Sequence, residues 1–409
     1  FKVGEVLVKE GDKISLSGST GKVYLGEVPI SDSEVIKVLK KEISPEQSKQ
    51  YVYFNSLLGL AKKVKKLGVR TNADNPEDTA LARALGAEGI GLFRTEHMFY
   101  GAGSEKPLFY LRKMILADTL AERQKALSEL EPFMKEDIQK TLQVMAGYPV
   151  TIRLLDPPLH EFVPKGQARL EALAKEFNIS LEILLKRAEE LHEANPMLGH
   201  RGARLGISYP EITEMQARAI FAAACEAKIK GHDIILEIMV PVVGFAEEVA
   251  HQRAIVDRVG HETMKKYKMV VPYTCGTMIE LPRACLMGEE IAGPADFFSF
   301  GTNDLTQTTL GFSRDDTAPV IIKYQDLKIL PNDPFGTIDP GVARLMEIGI
   351  KGGRTKKPDL KIGICGEHGG DPDSVVLCHK LGLSYVSCSP YRVPVALMAA
   401  AQAALASAI

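Results

Sequence analysis

The chain has 409 residues, 45% hydrophobic and 25% charged, with a formal net charge of −2, the balance of a soluble protein able to bury a large core. Its lysine clusters (Lys62, Lys63, Lys65, Lys66; Lys351 to Lys357) are short and isolated, which argues against a nucleic-acid surface, and no apolar run reaches the length of a membrane span. Six cysteines without paired metal-ligand spacing read as reduced thiols, so the expected location is cytoplasmic, with a eukaryotic organelle as the alternative.

The first thirty residues contain three short strand-like pieces, Glu5 to Lys9, Lys13 to Ser17 and Lys22 to Gly26, punctuated by Gly11, Gly18 and Gly21. They are too small to make a core. Residues 1–30 are therefore expected to be the β-rich remnant of another domain, and the start at Phe1 reads as an excised piece. The segment Gly18-Ser19-Thr20-Gly21-Lys22-Val23 lacks the spacing of a phosphate-binding loop. Residues 31–66 are charged and helix-compatible, a linker or first outer helix, and the main domain is placed at 67–409.

From there a single pattern recurs. Apolar or β-branched runs ending in polar groups occur at Val69 to Asp74, Gly89 to Glu96, Val150 to Asp156, Ile234 to Pro241, Tyr273 to Glu280, Phe297 to Asp304, Lys361 to His368 and Leu383 to Pro390. Segments of helical spacing, such as Asn75 to Leu85 and Gln216 to Lys230, lie between most of them. Eight β-then-α repeats predict an α/β fold, a (β/α)8 TIM-type barrel with its site at the C-terminal strand ends. An open doubly wound sheet is the alternative. Asn195 to Arg204, with its Asn-Pro start and two glycines, reads as a loop within a long insertion from about Pro157 to Gly231. The Ala-rich end, Val395 to Ile409, reads as a packing helix.

The polar ends concentrate chemistry in Ser299 to Gln307, where Gly301, Thr302, Asn303 and Asp304 follow an apolar strand. A bare backbone followed by hydroxyl, amide and carboxylate makes a poor core and a good site for an oxyanion and a hard cation. Glu280 ends the fifth predicted strand and Asp304 the sixth, so two carboxylates are expected in one mouth. With waters and substrate oxygens that donor set describes Mg2+. The bland reading makes either acid a helix cap or ion-pair partner, and Glu367 fits that reading better than a ligand role.

In order along the chain, GLFRTEHMF (91–99), TIRLLDPPLHEF (151–162), NPMLGHRGARLGI (195–207), MVPVVG (239–244), GTMIELPRA (276–284), FFSFGTNDLTQ (297–307), GFSRDD (311–316), GICGEHGGDP (363–372) and YVSCSPYRVP (385–394) carry a resemblance. The chain resembles the C-terminal, phosphoenolpyruvate/pyruvate-binding half of the pyruvate phosphate dikinases, within the wider group of phosphoenolpyruvate-utilising enzymes. Phosphoenolpyruvate synthases and the first enzyme of the bacterial sugar phosphotransferase system share some of these segments and are the nearer alternatives.

The resemblance implies Mg2+-dependent phosphoryl transfer between pyruvate enolate and a phosphohistidine carried on a swivelling domain, itself charged by a nucleotide-binding domain of the same full-length chain. It also implies a homodimer through the barrel. Residues 1–30 would then be the end of the swivelling domain. Planar multi-donor guanidinium groups suit the carboxylate and phosphate of such a substrate, which singles out Arg94 and Arg153, with Arg201 as a third candidate. Arg204, Arg283, Arg314 and Arg392 read as structural. Gly301, Thr302 and Asn303 are expected to bind the substrate carboxylate. Cys365 is the expected proton carrier at the methylene carbon, since a thiol of ordinary pKa near 8.5 can both give and take a proton. Tyr385 and His368 either orient it or are ordinary packing; Cys225, Cys285 and Cys378 read as packing cysteines. A Mg2+-dependent aldolase or lyase acting through a pyruvate enolate and a barrel serving only for dimerisation are the readings from other classes.

Overall fold

In a computed structural model, which describes residues 2–18, 21–101 and 103–407, the chain divides into a small unit, Phe1–Leu57, and a large one, Leu58–Ile409. Ser19 and Thr20 of the glycine–lysine segment, and Ala408 and Ile409 at the Ala-rich end, lie outside the described residues. Within the small unit two antiparallel ladders form, Lys2–Val3 with Val6–Leu7 and Ile14–Leu16 with Val23–Leu25. The helix Glu34–Leu39 follows, with Ser33 accepting from the Ile36 N–H at its start. A longer helix, Lys49–Val64, spans the division at Leu57.

All eight expected runs of the large unit form strands: β1 Gly68–Asn72, β2 Ile90–Arg94, β3 Pro149–Arg153, β4 Ile235–Val240, β5 Tyr273–Ile279, β6 Phe297–Phe300, β7 Lys361–Ile364 and β8 Tyr385–Cys388. They pair in parallel and in sequence order, and β8 closes on β1 through Tyr385 opposite Gly68 and Cys388 opposite Thr71. The closed (β/α)8 barrel therefore replaces the open sheet as the topology of this chain. Buried on both faces, the strands read as near-continuous apolar runs, which is why they stand out in the sequence.

Helices α1 Pro76–Ala84, α2 Leu120–Val144, α3 Pro210–Ile229, α4 Ala246–Tyr267, α5 Thr302–Leu310, α6 Pro340–Lys356, α7 Pro372–Lys380 and α8 Val393–Ala406 surround it. Local sequence sets their starts. Asn75 accepts from Asp78 N at 2.8 Å ahead of Pro76, and Thr119 with Glu122 forms a capping box at the head of α2. The segment after β3 is shorter as an insertion than expected. Its last part is α3, an ordinary barrel helix packed between α2 and α4, so the extra structure is confined to 157–209. Asn195 to Gly202 is a loop with one 3₁₀ turn, Pro196–Leu198, whereas Ala203 and Arg204, expected to belong to it, open a short helix, Ala203–Ser208; no ninth strand forms there.

The lower barrel interior is filled by a buried charge network that the sequence does not announce. Arg70 on β1 donates to Glu237 on β4 at 2.7 Å, and Thr151 on β3 donates to the same carboxylate at 2.6 Å. Lys361, the first residue of β7, also donates to Glu237, and the Arg70 guanidinium lies 3.9 Å from the centre of the Tyr385 ring. Burial opposes ionisation of Glu237, but the two cations outweigh it and hold its pKa down at about 2.

Because the folded pKa lies below the ordinary glutamate value of about 4.3, the carboxylate contributes stability fully above that value and loses it as pH falls toward 2. Replacing it leaves two cations without a buried partner. Glu237→Gln is expected to cost about 3–5 kcal/mol in denaturant unfolding at neutral pH, and to flatten the loss of stability between about pH 4.3 and 2 that the parent shows. An unchanged acid limb in the variant would disprove the assignment.

Candidate active site

At the C-terminal end of the barrel the sequence-predicted charges converge, held by carboxylates that the sequence reading passed over. Arg153, the last residue of β3, pairs with Glu96 and with Asp156 at 2.9 Å. Arg201, from the loop before α3, grips Asp156 with two nitrogens, Nε at 3.1 Å and an Nη at 2.7 Å, and the same Nη lies 2.9 Å from Asp304. Burial opposes the charge on Asp156, yet Arg153 and Arg201 together keep its pKa below the usual carboxylate value. Both guanidinium groups are in turn held charged by these acids against their own burial. Arg94, the last residue of β2, is fixed by Asp74 through its backbone N–H at 2.7 Å and its side chain at 3.0 Å, and His97 lies 3.1 Å from the same carboxylate.

Glu280 follows β5 directly, whereas Asp304 sits in the first turn of α5 rather than at a strand end. Glu280 is 2% exposed, and burial, Asp304 and Asp156 push its pKa up to about 8 against the pull of Arg201 and Arg153. Asp304 is raised too, by burial first, with Arg201 opposing. One oxygen of Glu280 accepts from the Val242 N–H at 2.6 Å, and Val242 holds φ at 55°, a left-handed conformation that β-branched residues rarely adopt. A Cβ at Gly301 would collide with the Glu280 carboxylate and lie 2.6 Å from Met278 Cε, so the glycine makes room for the acid. Gly202 does the same for the loop. With φ at 58° it brings Arg201 over the end of β4, where a Cβ would meet Val242 at 2.7 Å.

Asn303 accepts from the Glu367 N–H at 3.0 Å, and the Thr302 hydroxyl is 2.8 Å from His368 Nδ1. Glu367 is exposed and meets the site through its backbone N–H. Cys365 lies just beyond β7, 1% exposed, in an apolar cluster with Leu92, Met239, Met278 and Phe297. Burial pushes its thiol up to about 11, so it is not the ordinary thiol expected from sequence. Tyr385 lies in the barrel interior against Arg70 rather than among the carboxylates. The Ser299 hydroxyl favours ionisation of both Cys365 and Tyr385, although neither the Ser299 nor the Tyr385 hydroxyl forms a hydrogen bond of good geometry. Cys225, Cys285 and Cys378 are free and buried, as packing cysteines should be.

Beside Asp156 and Arg201 opens a cavity of about 770 Å³, and another of about 610 Å³ adjoins Asp74 and His97. Arg153 Nε and Glu96 Oε2 are buried without partners, a donor and an acceptor still to be satisfied. Among the described residues no cluster of three or more His, Cys, Asp or Glu side chains is arranged to hold a metal ion alone. The pair Glu280 and Asp304 offers carboxylate oxygens only, a donor set suited to a hard cation that completes its shell with water and ligand oxygens.

A closed barrel whose C-terminal mouth carries guanidinium groups, a carboxylate pair and a neighbouring thiol defines an enzyme-type anion site. The chain belongs to the PEP-utilising enzymes: the family described as "PEP-utilising enzyme, PEP-binding domain" matches residues 48–405. It is 49% identical over 407 residues to the pyruvate, phosphate dikinase of Clostridium symbiosum, covering 99% of this chain and 44% of that protein. It is 48% identical over 404 residues to the pyruvate, phosphate dikinase of Giardia intestinalis, covering 98% and 44%. Against pyruvate, phosphate dikinase 1, chloroplastic, of Arabidopsis thaliana it is 47% identical over 407 residues, covering 99% and 40%. The chain thus spans less than half the length of these relatives.

Asp156 is the residue on which both arginines depend, and its loss has a defined cost. Asp156→Asn is expected to lower unfolding stability by about 3 kcal/mol, the low end for breaking a buried pair because Glu96 and Asp304 remain. Denaturant titration beside Glu161→Gln, an exposed neighbour that shares none of these ion pairs, measures it. Equal effects in the two variants would refute the assignment.

Proposed function

We propose that this chain is the phosphoenolpyruvate/pyruvate-binding half of a pyruvate phosphate dikinase. In this reading it transfers a phosphoryl group between a phosphohistidine on a separate domain of the longer chain and pyruvate enolate. The observation that carries the reading is the charge layout of the mouth. Three guanidinium groups, Arg94, Arg153 and Arg201, face five carboxylates, Asp74, Glu96, Asp156, Glu280 and Asp304, an excess of two negative charges when all are ionised. A divalent cation at Glu280 and Asp304 restores balance, and Mg2+ fits their oxygen-only donors. When bound, it would supply polarisation of the enolate and screening of the transferred phosphoryl group.

The chain's own residues do the remainder. Arg153 and Arg201, pre-set by Asp156, bind and orient the anion, and Arg94, braced by Asp74, faces charge that spreads over the phosphoryl oxygens in transfer. Gly301, Thr302 and Asn303 approach the substrate carboxylate from the start of α5, where helix N–H groups favour an anion. Towards phosphoenolpyruvate, the Cys365 thiolate takes a proton from the pyruvate methyl group, the enolate oxygen attacks phosphorus, and the phosphorus–nitrogen bond to histidine breaks. In the reverse direction the thiol returns that proton to carbon. The Ser299 hydroxyl favours the thiolate, and the apolar cluster around the sulfur excludes water. Six free, buried cysteines support a reducing, cytoplasmic setting, and no helix among the described residues is long and apolar enough to cross a membrane. The homodimer through the barrel rests on the resemblance alone.

Two measurements test the reading. Glu280→Gln and Asp304→Asn should each weaken Mg2+-dependent binding of pyruvate or oxalate by at least about tenfold in calorimetry. Parental binding in both would remove the metal assignment. Cys365→Ala should retain that binding while exchange of pyruvate methyl protons with deuterium, followed by NMR, falls by at least about a hundredfold. Exchange at the parental rate would return Cys365 to the packing cysteines.

A further inference from the structure

His368 is wholly buried, and the hydrogen bonds of its ring go to neither the carboxylates nor the arginines of the mouth. Its two ring nitrogens are both committed, Nδ1 to Thr302 Oγ1 at 2.8 Å and Nε2 to the Pro334 carbonyl at 2.9 Å. A carbonyl oxygen only accepts, so Nε2 carries the proton and donates to Pro334; Nδ1 is then bare and accepts from the Thr302 hydroxyl. Burial disfavours the charged ring, which keeps this neutral tautomer in place. The bond to Thr302 therefore has a fixed direction and no competing partner.

Around it, the segment after β7 runs against the end of β6 and the start of α5 at four successive residues. Cys365 N donates to Phe300 O at 3.1 Å, and Glu367 N donates to Asn303 Oδ1 at 3.0 Å. Gly366 lies so close that a Cβ would collide with Thr302 Oγ1 and stand 3.0 Å from the Thr302 nitrogen. His368 ends the row, and through Pro334 it also pins the loop that leads into α6. One end of this segment is the proton carrier, and the turn it grips holds Asp304.

We propose that His368 is a positioning residue: by joining Thr302 to Pro334 it fixes the separation between the Cys365 thiol and the Asn303–Asp304 turn, and so governs proton delivery to the bound enolate. This rests on the proposed function for the identity of the reaction, but the clamp itself is a statement about two chain segments. Loss of the imidazole leaves every proposed ligand of the anion and cation in place. Its effect therefore falls on the rate of proton transfer at saturating pyruvate, where displacement by about an ångström costs up to about a hundredfold.

The test uses the 409-residue chain with Mg2+ and three variants, His368→Phe, His368→Gln and Thr302→Val. Phe removes both bonds, Gln retains a donor towards Pro334, and Val removes the hydroxyl arm while keeping the Thr302 N–H through which that residue is proposed to meet the substrate carboxylate. Deuterium exchange at the pyruvate methyl group should fall about ten- to a hundredfold at saturating pyruvate in His368→Phe, with less than about a threefold change in its half-saturating concentration or in oxalate affinity. Thr302→Val should reproduce most of that loss, and His368→Gln should recover part of it. A fall in proportion to binding, or no fall, overturns the proposal. If the parent itself exchanges no pyruvate protons, the proposed function fails, and the clamp is then judged by a crystal structure of His368→Phe or His368→Gln. There the 365–368 segment should be shifted against the 302–304 turn; an unshifted segment overturns the proposal independently of any activity.

Discussion

The mouth of the barrel depends on one shared carboxylate. Asp156 is gripped by Arg201 through two nitrogens and by Arg153 through one, and neither guanidinium can escape the arrangement by losing a proton. A buried carboxylate with a single partner would be costly; with two it stays ionised, and its position decides where both arginines point. The consequences run outward. The Asp156 carbonyl accepts from the Gly202 N–H at 3.0 Å, so the loop carrying Arg201 is tied to the end of β3 by backbone as well as by charge. Arg201 then reaches Asp304, which couples the loop before α3 to the start of α5.

The barrel holds two charged layers of opposite character. Below, Arg70 and Lys361 enclose Glu237, with the face of Tyr385 over the Arg70 guanidinium, so the single anion is over-supplied with positive partners. Above, the acids outnumber the arginines: Asp304 and Asp156 make Glu280 harder to ionise, and Asp156 does the same to Asp304. The first arrangement closes the lower interior and asks for nothing more. The second is destabilising unless a cation joins it, and destabilisation of that kind is typically found where a protein binds something. Strain follows the same division, since Val242, with its left-handed backbone, donates to Glu280 in the upper layer.

The barrel was legible because both faces of a parallel strand are buried, which writes each strand as an apolar run ending in polar groups. Arg94, Arg153, Glu280 and Asp304 stood at those ends and could be picked out by position. Asp156 and Glu96 stood there too, but a carboxylate that serves an arginine has the same sequence appearance as one that serves a metal or solvent. The sequence overstates the length of the insertion because α3 is buried along most of its length and offers little polar contrast to mark it as an outer helix. Arg70, Thr151, Glu237 and Lys361 escaped notice for another reason. Charges within an apolar strand are read as exceptions until closure of the sheet brings them together across it. The Val242 strain leaves no sequence signal, because nothing in a valine announces φ above zero.

The placement of Cys365 sets how the proposed chemistry rests between turnovers. β6 and β7 are neighbours, with Ser299 opposite Gly363, so the thiol emerges beside the turn that carries Asp304 while its side chain enters an apolar cluster. Burial raises its pKa most, and Glu280 adds to the effect; Arg153 and Arg94 oppose them without prevailing. The sulfur therefore holds its proton throughout the neutral range. In the proposed reaction that state is ready to protonate an enolate carbon at once, whereas taking a proton from pyruvate requires the thiolate to form beside the two arginines. Removal of water from the sulfur thus favours the resting acid, and Arg153 and Arg94, the guanidinium groups proposed to bind the substrate, also provide the positive charge that favours the base.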